Sequence, residues 1–230
     1  MNEIIRHIFA EVPGRYELLN RVLTFGLDAG WRRSVAAEAV SAGGSRFLDM
    51  CTGTGETALL LSRRAAPGAL VVGADFTLPM MREGMRRHGT GRFAFLAAAA
   101  RELPFADGAF DVVTVSFAAR NLNVSREELA AALREFRRVL HPGGRLLILE
   151  TSRPPLGIVR ALFHLYARLV VPRAGKILSG SEAGYAYLSR TLRTFYGAEE
   201  LAKIIAEAGF ASVAFRRLSL GGVALHAAVK

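Results

Sequence analysis

Apolar and polar positions follow two different patterns along the chain, and the change falls at Gly43. Before Gly43, apolar residues recur every three or four positions, which predicts helices that break near Pro13 and Gly26. After Gly43, short apolar runs alternate with helical segments, and the runs predict strands at 46–50, 69–75, 93–96, 110–117 and 145–150. Strands and helices that alternate at this spacing predict a parallel sheet covered by helices on both faces.

The connecting segments carry helix and turn signals. Ser125 followed by Glu128 forms a capping box, which predicts a helix from residue 126 to residue 140. A turn centred on Pro142 and Gly143 then leads into the fifth strand. The end of the chain predicts one more helix and a hairpin that closes the sheet, with the helix at 198–208 and the strands at 213–218 and 223–229.

Between the fifth strand and the last helix lies an insert that a parallel sheet does not require. Its main apolar run extends from Leu156 to Pro172 and is interrupted by Arg160, His164 and Arg168. Because these three residues recur at every fourth position, they form one narrow basic stripe on an otherwise apolar helix. No carboxylate occurs from residue 151 to residue 181. The insert is therefore both hydrophobic and basic.

The composition limits the class of protein. The chain has 230 residues, enough for one large domain, and 51% of them are hydrophobic, which excludes a disordered chain. No apolar stretch reaches the roughly 18 uninterrupted residues of a membrane-spanning helix. The 30 Lys and Arg outweigh the 20 Asp and Glu and give a net charge of +10. A nucleic acid, an anionic membrane surface and an acidic substrate all fit that charge.

Cysteine content and the first residues bear on the compartment. Cys51 is the single cysteine, so the chain forms no internal disulfide and shows no sign of an oxidising environment. The first ten residues include Glu3, Arg6 and His7, whereas a signal peptide has an unbroken apolar stretch. We therefore expect a cytoplasmic protein.

The first strand ends in a glycine-rich loop that leads into a helix. Gly53 and Gly55 let the backbone approach a ligand, and the free N–H groups at the start of the helix are donors. Asp75 ends the second strand, twenty residues after Gly55, where an acid accepts both hydroxyls of a ribose. NAD and S-adenosylmethionine both present such a ribose, and the loop also satisfies the dinucleotide fingerprint.

The charges beside the loop favour S-adenosylmethionine. Asp49 precedes the loop and Glu56 follows it, and both carboxylates would repel the diphosphate of a dinucleotide. They would attract the sulfonium and the α-ammonium of S-adenosylmethionine. Taken singly, each residue also has a purely structural interpretation. Asp49 would complement the dipole of the following helix, and Asp75 would be a polar residue at the end of a strand.

Several longer motifs accompany the glycine loop. The most specific are Arg120-Asn121 after the fourth strand and the segments 149–154 and 221–226. Less specific motifs occur at 15–20, 31–32, 73–76, 103–105 and 110–113. Together these motifs resemble the UbiE/MenG family of menaquinone and ubiquinone biosynthesis C-methyltransferases, in particular its demethylmenaquinone branch. The resemblance covers nearly the whole chain.

The resemblance implies a fold and an organisation. The fold is a class I S-adenosylmethionine-dependent methyltransferase, a Rossmann-like α/β fold whose seven-stranded, mostly parallel sheet has one antiparallel strand. The whole chain, 1–230, would be a single methyltransferase domain. Within it we expect an N-terminal helical cap at 1–42, a cofactor-binding core at 43–150, a helical substrate or membrane insert at 151–197, and a closing helix and hairpin at 198–230.

The resemblance also implies a cofactor site for S-adenosylmethionine, which leaves as S-adenosylhomocysteine. Thr54 matches the cofactor-contacting threonine of the loop, Asp75 the ribose acid and Ser116 the serine that ends the fourth strand. The other cofactor-binding residues are Asp49, Gly53, Gly55, Phe76, Ala99 and Ala100, and no metal is expected. Position 99 departs from the family, which has an acidic or amide residue there to hold the adenine. The N–H of Ala100 remains as a donor, so we expect weakened rather than abolished binding.

Methylation of a hydroquinone ring carbon requires the neighbouring hydroxyl to become a phenolate. By resemblance, Arg120 would stabilise this oxyanion, since an arginine stays protonated. Asn121 would orient the ring oxygen, and Tyr16 would pack near it. Without the resemblance, Arg120-Asn121 reads as a salt-bridged loop anchor. His141, His164 and His226 are candidate bases, but because they are scattered singly along the chain, a surface or packing role is favoured for each of them.

The expected substrate is a prenylated quinol, most simply demethylmenaquinol. The basic, apolar insert suits an anionic membrane surface, so the protein would associate peripherally with the inner face of the membrane. A lid or the interface of a homodimer is the alternative role of the insert. Another small aromatic or lipid acceptor and a non-catalytic homologue stay open. A nucleic-acid partner is disfavoured because the aromatic residues are not interleaved with Lys and Arg in a recognisable motif.

Overall fold

The computed structural model describes residues 13–89, 91–179 and 182–230, with side chains described outside 13–16 and 175–184. Its helices are α1 Pro13–Leu23, α2 Leu27–Ser41, α3 Glu56–Arg64, α4 Leu78–His88, α5 Ala119–Leu122, α6 Arg126–Val139, α7 Gly157–Ser179, α8 Glu182–Thr194 and α9 Ala198–Glu207. Its strands are β1 Arg46–Met50, β2 Leu70–Asp75, β3 Ala94–Ala97, β4 Phe110–Ser116, β5 Leu140–Thr151, β6 Ser212–Leu218 and β7 Val223–Val229.

The strands form one seven-stranded sheet in the order β3-β2-β1-β4-β5-β7-β6. The first five strands are parallel, and β7 pairs antiparallel with both β5 and β6. The sequence therefore predicted the sheet and its closing hairpin correctly. The strand order reverses between β1 and β4, and such a switch point opens a crevice at the carboxyl ends of the strands.

Two predicted boundaries are wrong. The turn at 141–144 does not separate α6 from a later strand, because β5 already starts at Leu140, which pairs with Phe110. The register then jumps to Val112 opposite Arg145, so the intervening residues bulge out of the strand. The insert helix also continues past Pro172, which lies inside α7. A proline within a helix removes one backbone donor but does not always end the helix.

The central strands are buried on both faces, as the sequence pattern requires. All seven residues of β4 are buried, and so are four of the five in β1. One cluster of apolar side chains packs α6 and α9 against one face of the sheet, and a second packs α2 and α3 against the other. A third, smaller cluster joins α1 to α7 and α8 through Leu19, Val171 and Tyr185. The N-terminal helices and the insert therefore meet each other above the carboxyl edge of the sheet.

Candidate active site

Two cavities adjoin at this edge. The polar cavity has a volume of about 120 Å³ and is lined by the glycine loop, by Glu56 and Ser116, and by residues of α1 and α2. The apolar cavity has a volume of about 290 Å³ and lies between α1, α2, α7 and α8, above the ends of β4 and β5. Asn20, Asp28 and Arg32 line both. One crevice thus joins a polar site to an apolar one.

The glycine loop adopts the backbone that its residues predict. Gly53 and Gly55 have φ values of 57° and 86°, in the left-handed region that glycine enters without strain. Cys51 also has a positive φ of 56°, which is unfavourable for a residue with a side chain and typical of functional turns. Helix α4 packs tightly against the loop, since a Cβ on Gly84 would lie 2.4 Å from the carbonyl oxygen of Thr54. The loop is therefore held in a fixed shape.

Asp49 lies directly beneath the loop and is 2% exposed. Its carboxylate accepts hydrogen bonds from the hydroxyls of Thr52 at 2.6 Å and Thr114 at 2.7 Å. Burial raises the pKa of Asp49 to about 6, although both hydroxyls and the charge of Arg32 act in the opposite direction. A buried carboxylate near the loop favours a cationic ligand above it.

Asp75 ends β2 beside the loop, as expected. Its carboxylate accepts from the backbone N–H of Gly53 and of Thr77, both at 2.8 Å. Burial raises the pKa of Asp75. Each carboxylate oxygen retains a further lone pair for a ligand hydroxyl. Ala99 and Ala100 follow the neighbouring strand, where the N–H of Ala98 bonds to the carbonyl of Asp75 at 3.0 Å. The residues assigned to ribose and adenine therefore share one strand edge.

A cluster of acidic residues closes the polar cavity on the side of α1. Glu17 of α1 and Glu56 of α3 both line this cavity. Burial, and then the negative charge of Glu17, raise the pKa of Glu56 to about 7. His88 lies 3.4 Å from Glu56, and Arg87 pairs with Glu17. The lining of the polar cavity thus places the carboxyl groups of Glu17, Asp28 and Glu56 beside arginines of α1 and α2, so it offers partners to both charged ends of the amino-acid moiety of S-adenosylmethionine.

Arg32 is the principal residue that the sequence left without a role. Its Nη1 donates to the Thr57 hydroxyl at 3.1 Å, and its guanidinium lies 5.2 Å from the centroid of the Phe117 ring. The Nε of Arg32 is buried without a hydrogen-bond partner among the described residues. Phe117 itself has a positive φ of 57° at the end of β4. An arginine with a free donor at the boundary of both cavities fits the carboxylate of a bound amino-acid moiety.

Arg120 lies at the floor of the apolar cavity and is 8% exposed. Its Nη1 donates to Glu150 Oε1 at 3.0 Å and to the Thr151 hydroxyl at 3.2 Å. The backbone N–H of Arg120 donates to the second oxygen of Glu150 at 3.1 Å. The Nη1 and the backbone N–H of Arg120 therefore anchor its loop to β5, as the loop-anchor interpretation predicts. The Nε remains buried without a described partner, so the guanidinium still has an N–H for a ligand in the cavity.

Apolar and aromatic side chains form the walls of the apolar cavity. Trp31 and Leu23 come from the N-terminal helices, and Phe163, Tyr166 and Leu188 come from the insert. Tyr166 also ties the two parts together, because its hydroxyl donates to the carbonyl of Leu23 at 2.6 Å. The cavity suits an aromatic ring with an apolar substituent.

The remaining predicted residues lie elsewhere. Asn121 lies on α5 and lines neither of the two cavities. Tyr16 lies on α1, but its side chain falls outside the described part of the chain. His226 is buried, and its Nε2 lies 2.9 Å from the carbonyl of Ala198. His141 faces Asp111 near the start of β4, at the opposite edge of the sheet, and His164 lines neither cavity.

The polar cavity and its surroundings fit S-adenosylmethionine. Its lining offers the carboxylates of α1, α2 and α3 to the ammonium and sulfonium, and a free Arg32 donor to the carboxylate. Asp75, which lies beside the loop rather than in this lining, would hold the ribose. The Ser116 hydroxyl, which accepts from Thr57 at 3.1 Å, lies where β4 enters the cavity. Phe76 follows Asp75 and is partly exposed, whereas Ala99 offers no polar side chain to the adenine.

We expect Ala99→Asp to tighten S-adenosylmethionine binding several-fold, because one recovered hydrogen bond contributes about 0.5–1.5 kcal/mol. Calorimetric titration measures the effect, with Ala106→Asp as a control that adds the same charge to an exposed loop. An unchanged dissociation constant for Ala99→Asp would show that position 99 does not contact the adenine.

Three comparisons place the chain among known proteins. The family model of the ubiE/COQ5 methyltransferase family matches residues 1–230. A demethylmenaquinone methyltransferase of Thermus thermophilus is 44% identical over 222 residues, which cover 95% of this chain and 98% of the relative. A ubiquinone/menaquinone biosynthesis C-methyltransferase UbiE of Desulfotalea psychrophila is 37% identical over 226 residues, 98% of this chain and 90% of the relative. A solved SAM-dependent methyltransferase of Thermotoga maritima superposes with a TM-score of 0.64 at 18% identity, covering 97% of this chain and 99% of that chain.

Proposed function

The chain belongs to the ubiE/COQ5 methyltransferase family, and from this premise we propose that it methylates a ring carbon of a prenylated hydroquinone, converting demethylmenaquinol to menaquinol. Its cofactor is S-adenosylmethionine, and the chain is a C-methyltransferase of the demethylmenaquinone methyltransferase type. The relatives named demethylmenaquinone methyltransferase favour a naphthoquinol ring over a benzoquinol ring.

One observation carries the proposal: the polar and apolar cavities share Asn20, Asp28 and Arg32. A methyl donor held in the polar cavity and an aromatic acceptor held in the apolar cavity would meet at these residues. Bringing the two reactants together in a fixed orientation accounts for a large part of the catalysis of a bimolecular step. The walls of the apolar cavity also suit an isoprenoid tail.

The residues of the chain have separable tasks in this reaction. S-adenosylmethionine, when bound, supplies an electrophilic methyl group. Arg120, which lines the apolar cavity and whose Nε–H has no described partner, would stabilise the phenolate, and the phenolate raises the electron density on the neighbouring ring carbon. Glu150 positions Arg120 through both the backbone and the guanidinium. The electron-rich ring carbon would take the methyl group as the bond between that methyl group and sulfur breaks, which leaves the thioether S-adenosylhomocysteine. The same ring carbon would then lose its proton, for which no described side chain is assigned as the base.

The acidic residues near the polar cavity would favour the donor over its product. Asp49, Asp28 and Glu56 attract a sulfonium, whereas the thioether of S-adenosylhomocysteine carries no such charge. Arg32 would pair with the carboxylate of the methionine moiety, and Asn20 would contact both reactants at the boundary. The roles of Asn121 and Tyr16 beside the ring rest on the family resemblance alone, because Asn121 lines neither cavity and the Tyr16 side chain lies outside the described part of the chain.

The experiment offers the purified chain demethylmenaquinone with labelled S-adenosylmethionine. We expect methyl transfer to the dithionite-reduced quinol and none to the oxidised quinone, because only the quinol can form the phenolate. A demethylated ubiquinol of equal tail length serves as the competing acceptor. Equal transfer to quinol and quinone, or transfer to the benzoquinol alone, would contradict the assignment.

We also propose that the protein binds peripherally to an anionic membrane through α7. No described helix is long and apolar enough to cross a membrane. Arg160 and Arg168 of α7 pair with no described carboxylate, so anionic headgroups would supply their partners. A homodimer through this face would bring two carboxylate-free basic surfaces together, which charge repulsion disfavours.

Flotation with phosphatidylglycerol vesicles tests this binding. Flotation at low salt and release at high salt would support peripheral membrane binding, whereas a protein that never floats would exclude it.

A further inference from the structure

The mouth of the apolar cavity is formed by two short connections and one helix. Phe25, between α1 and α2, reaches the rim of the cavity and is 82% exposed. Ser219, at the tip of the β6–β7 hairpin, also lines the rim, and the next residue, Leu220, is 74% exposed. The hairpin end packs against α7, since a Cβ on Gly222 would lie 3.7 Å from the Phe163 ring. The three segments therefore surround one opening.

The two connections carry apolar side chains at unfavourable backbone positions. Phe25 has a φ of 54° and Leu220 a φ of 57°, in the left-handed region that suits Gly or Asn. Neither side chain gains burial in return, because both are more exposed than any other large apolar residue of the described chain except Ile158. Strain combined with an exposed apolar side chain indicates a role outside the folding of the monomer.

Helix α7 continues this apolar surface. Its residues Phe163 and Tyr166 face the cavity, whereas Leu162, Leu165 and Leu169 recur at three- and four-residue spacing and lie exposed on the outward face. The bond from the Tyr166 hydroxyl to Leu23 holds α7 against α1. The outward leucines are therefore a fixed surface of the folded protein, adjacent to the mouth.

The charge around this surface identifies what covers it. The whole segment from residue 151 to residue 181 lacks a carboxylate, and the chain as a whole carries a net charge of +10. Arg168 and Arg173 of α7 are exposed beside the leucines. An apolar face bordered by arginines that pair with no carboxylate among the described residues matches a lipid monolayer, whose acyl chains receive the leucines and whose phosphates receive the arginines. A second copy packed through the same face would need acidic residues that this face does not supply.

We propose that Phe25, Leu220 and the outward leucines of α7 form one lipid-inserting surface around the cavity mouth. A prenylated substrate then enters the apolar cavity directly from the membrane, with its tail still among the lipids. This inference rests on the proposed function. It goes further by assigning the inserted residues and the direction of substrate entry.

The test uses a variant that leaves the cavity lining intact: Leu162→Gln/Leu165→Gln/Leu220→Asn. Asparagine tolerates the left-handed backbone at position 220, and the outward leucines line neither cavity, so the fold and the site are preserved. The control is Met85→Gln/Val124→Asn, which removes two exposed apolar side chains that lie outside α7 and line neither cavity. Phe25→Asn is measured for vesicle binding only, because its ring also reaches the cavity.

We expect binding to phosphatidylcholine–phosphatidylglycerol vesicles to fall by about tenfold for each side chain removed, and to be unchanged in the control. The kcat/KM for a tailless, water-soluble acceptor should stay constant, and that for a tailed quinol in vesicles should fall with vesicle binding. Circular dichroism melting confirms folding of each variant.

Each other outcome overturns the proposal. If the triple variant binds vesicles as tightly as the wild type, these residues do not insert into the lipid. An equal loss of activity on the tailless acceptor would make these residues part of the site. A wild-type dimer that the triple variant dissociates, with vesicle binding unchanged, would assign the surface to a second copy of the chain. A wild-type protein that methylates the tailless quinol but never binds vesicles would remove the membrane proposals and leave the proposed reaction intact.

Discussion

Arg120→Ala is expected to lower kcat by about a hundredfold to a thousandfold, the loss typical of removing one oxyanion donor, while S-adenosylmethionine still binds. The same change leaves Glu150 buried and unpaired, since Glu150 is fully buried and its guanidinium partner is gone. Breaking a buried ion pair in this way destabilises a protein by about 3–5 kcal/mol. Steady-state kinetics, calorimetric titration and thermal melting measure the three quantities separately.

A double variant separates catalysis from folding. Arg120→Met/Glu150→Met replaces the whole ion pair by apolar side chains, and such replacements are often neutral or stabilising. We expect the double variant to recover the stability lost in Arg120→Ala but to stay as inactive. Glu150→Gln keeps Arg120 and should retain part of the activity, with a lower kcat and a similar KM. Recovery of full activity by the double variant would mean that Arg120 only anchors its loop.

Asp49→Asn is expected to have opposite effects on stability and on cofactor binding. Folding raises the pKa of Asp49 to about 6, so between about pH 4 and pH 6 the folded chain holds a proton that the unfolded chain has lost. Stability of the ligand-free protein therefore falls as pH rises through this range, by up to about 3 kcal/mol. Because asparagine does not ionise, Asp49→Asn should be more stable than the wild type at pH 8 and about as stable as the wild type at pH 4.

The same substitution should weaken S-adenosylmethionine binding by at least about tenfold at pH 8, because the ionised carboxylate attracts the sulfonium. For the wild type, binding should strengthen from pH 5 to pH 8 and release protons, which calorimetry in buffers of different ionisation enthalpy detects. Burial and the negative charge of Glu17 raise the pKa of Glu56 to about 7. Glu56 therefore adds its own contribution to the pH dependence of cofactor binding, and this contribution should persist in Asp49→Asn.

Asp111→Asn is the control of opposite sign. Asp111 accepts hydrogen bonds from the N–H groups of Ser45 and Arg46 and from the Arg46 side chain. These bonds hold its pKa below the usual value, so its stabilisation is present at neutral pH and is lost in acid. Asp111→Asn should destabilise the protein at pH 8 without altering cofactor affinity. A similar destabilisation by Asp49→Asn would show that Asp49 is a structural carboxylate.

Much of the fold follows from local pattern. The strand β1 was predicted with its observed bounds, and Ser125 caps α6 by accepting from the N–H of Glu128 at 3.3 Å. The boundaries that were missed depend on tertiary structure. Leu140 joins the sheet because Phe110 is opposite it, and α7 passes through Pro172 because α1 and α8 pack along it. Neither neighbour can be read from the segment itself.

The candidate site divides in the same way. Asp49, Gly53 and Asp75 were identified because they belong to a motif whose parts are fixed by strand ends. Arg32 and Asn20 were not assigned roles, although they lie where the two cavities meet. They come from the N-terminal helices, and only the packing of those helices over the carboxyl edge of the sheet brings them to the site. The partner of Arg120 was also missed, because Arg120 lies on α5 and Glu150 lies thirty residues away on β5, and only the tertiary structure brings them together.

The reaction proposed for this chain places a methyl group on a ring carbon of demethylmenaquinol. Its most direct test is nuclear magnetic resonance of the product formed from S-adenosylmethionine with an isotope-labelled methyl group and the reduced quinone. We expect one labelled methyl resonance of an aromatic C–CH₃ group, formed by the wild type and absent with Arg120→Met/Glu150→Met. A labelled methoxy resonance, or no transfer to any quinol by a folded protein that binds the cofactor, would contradict it.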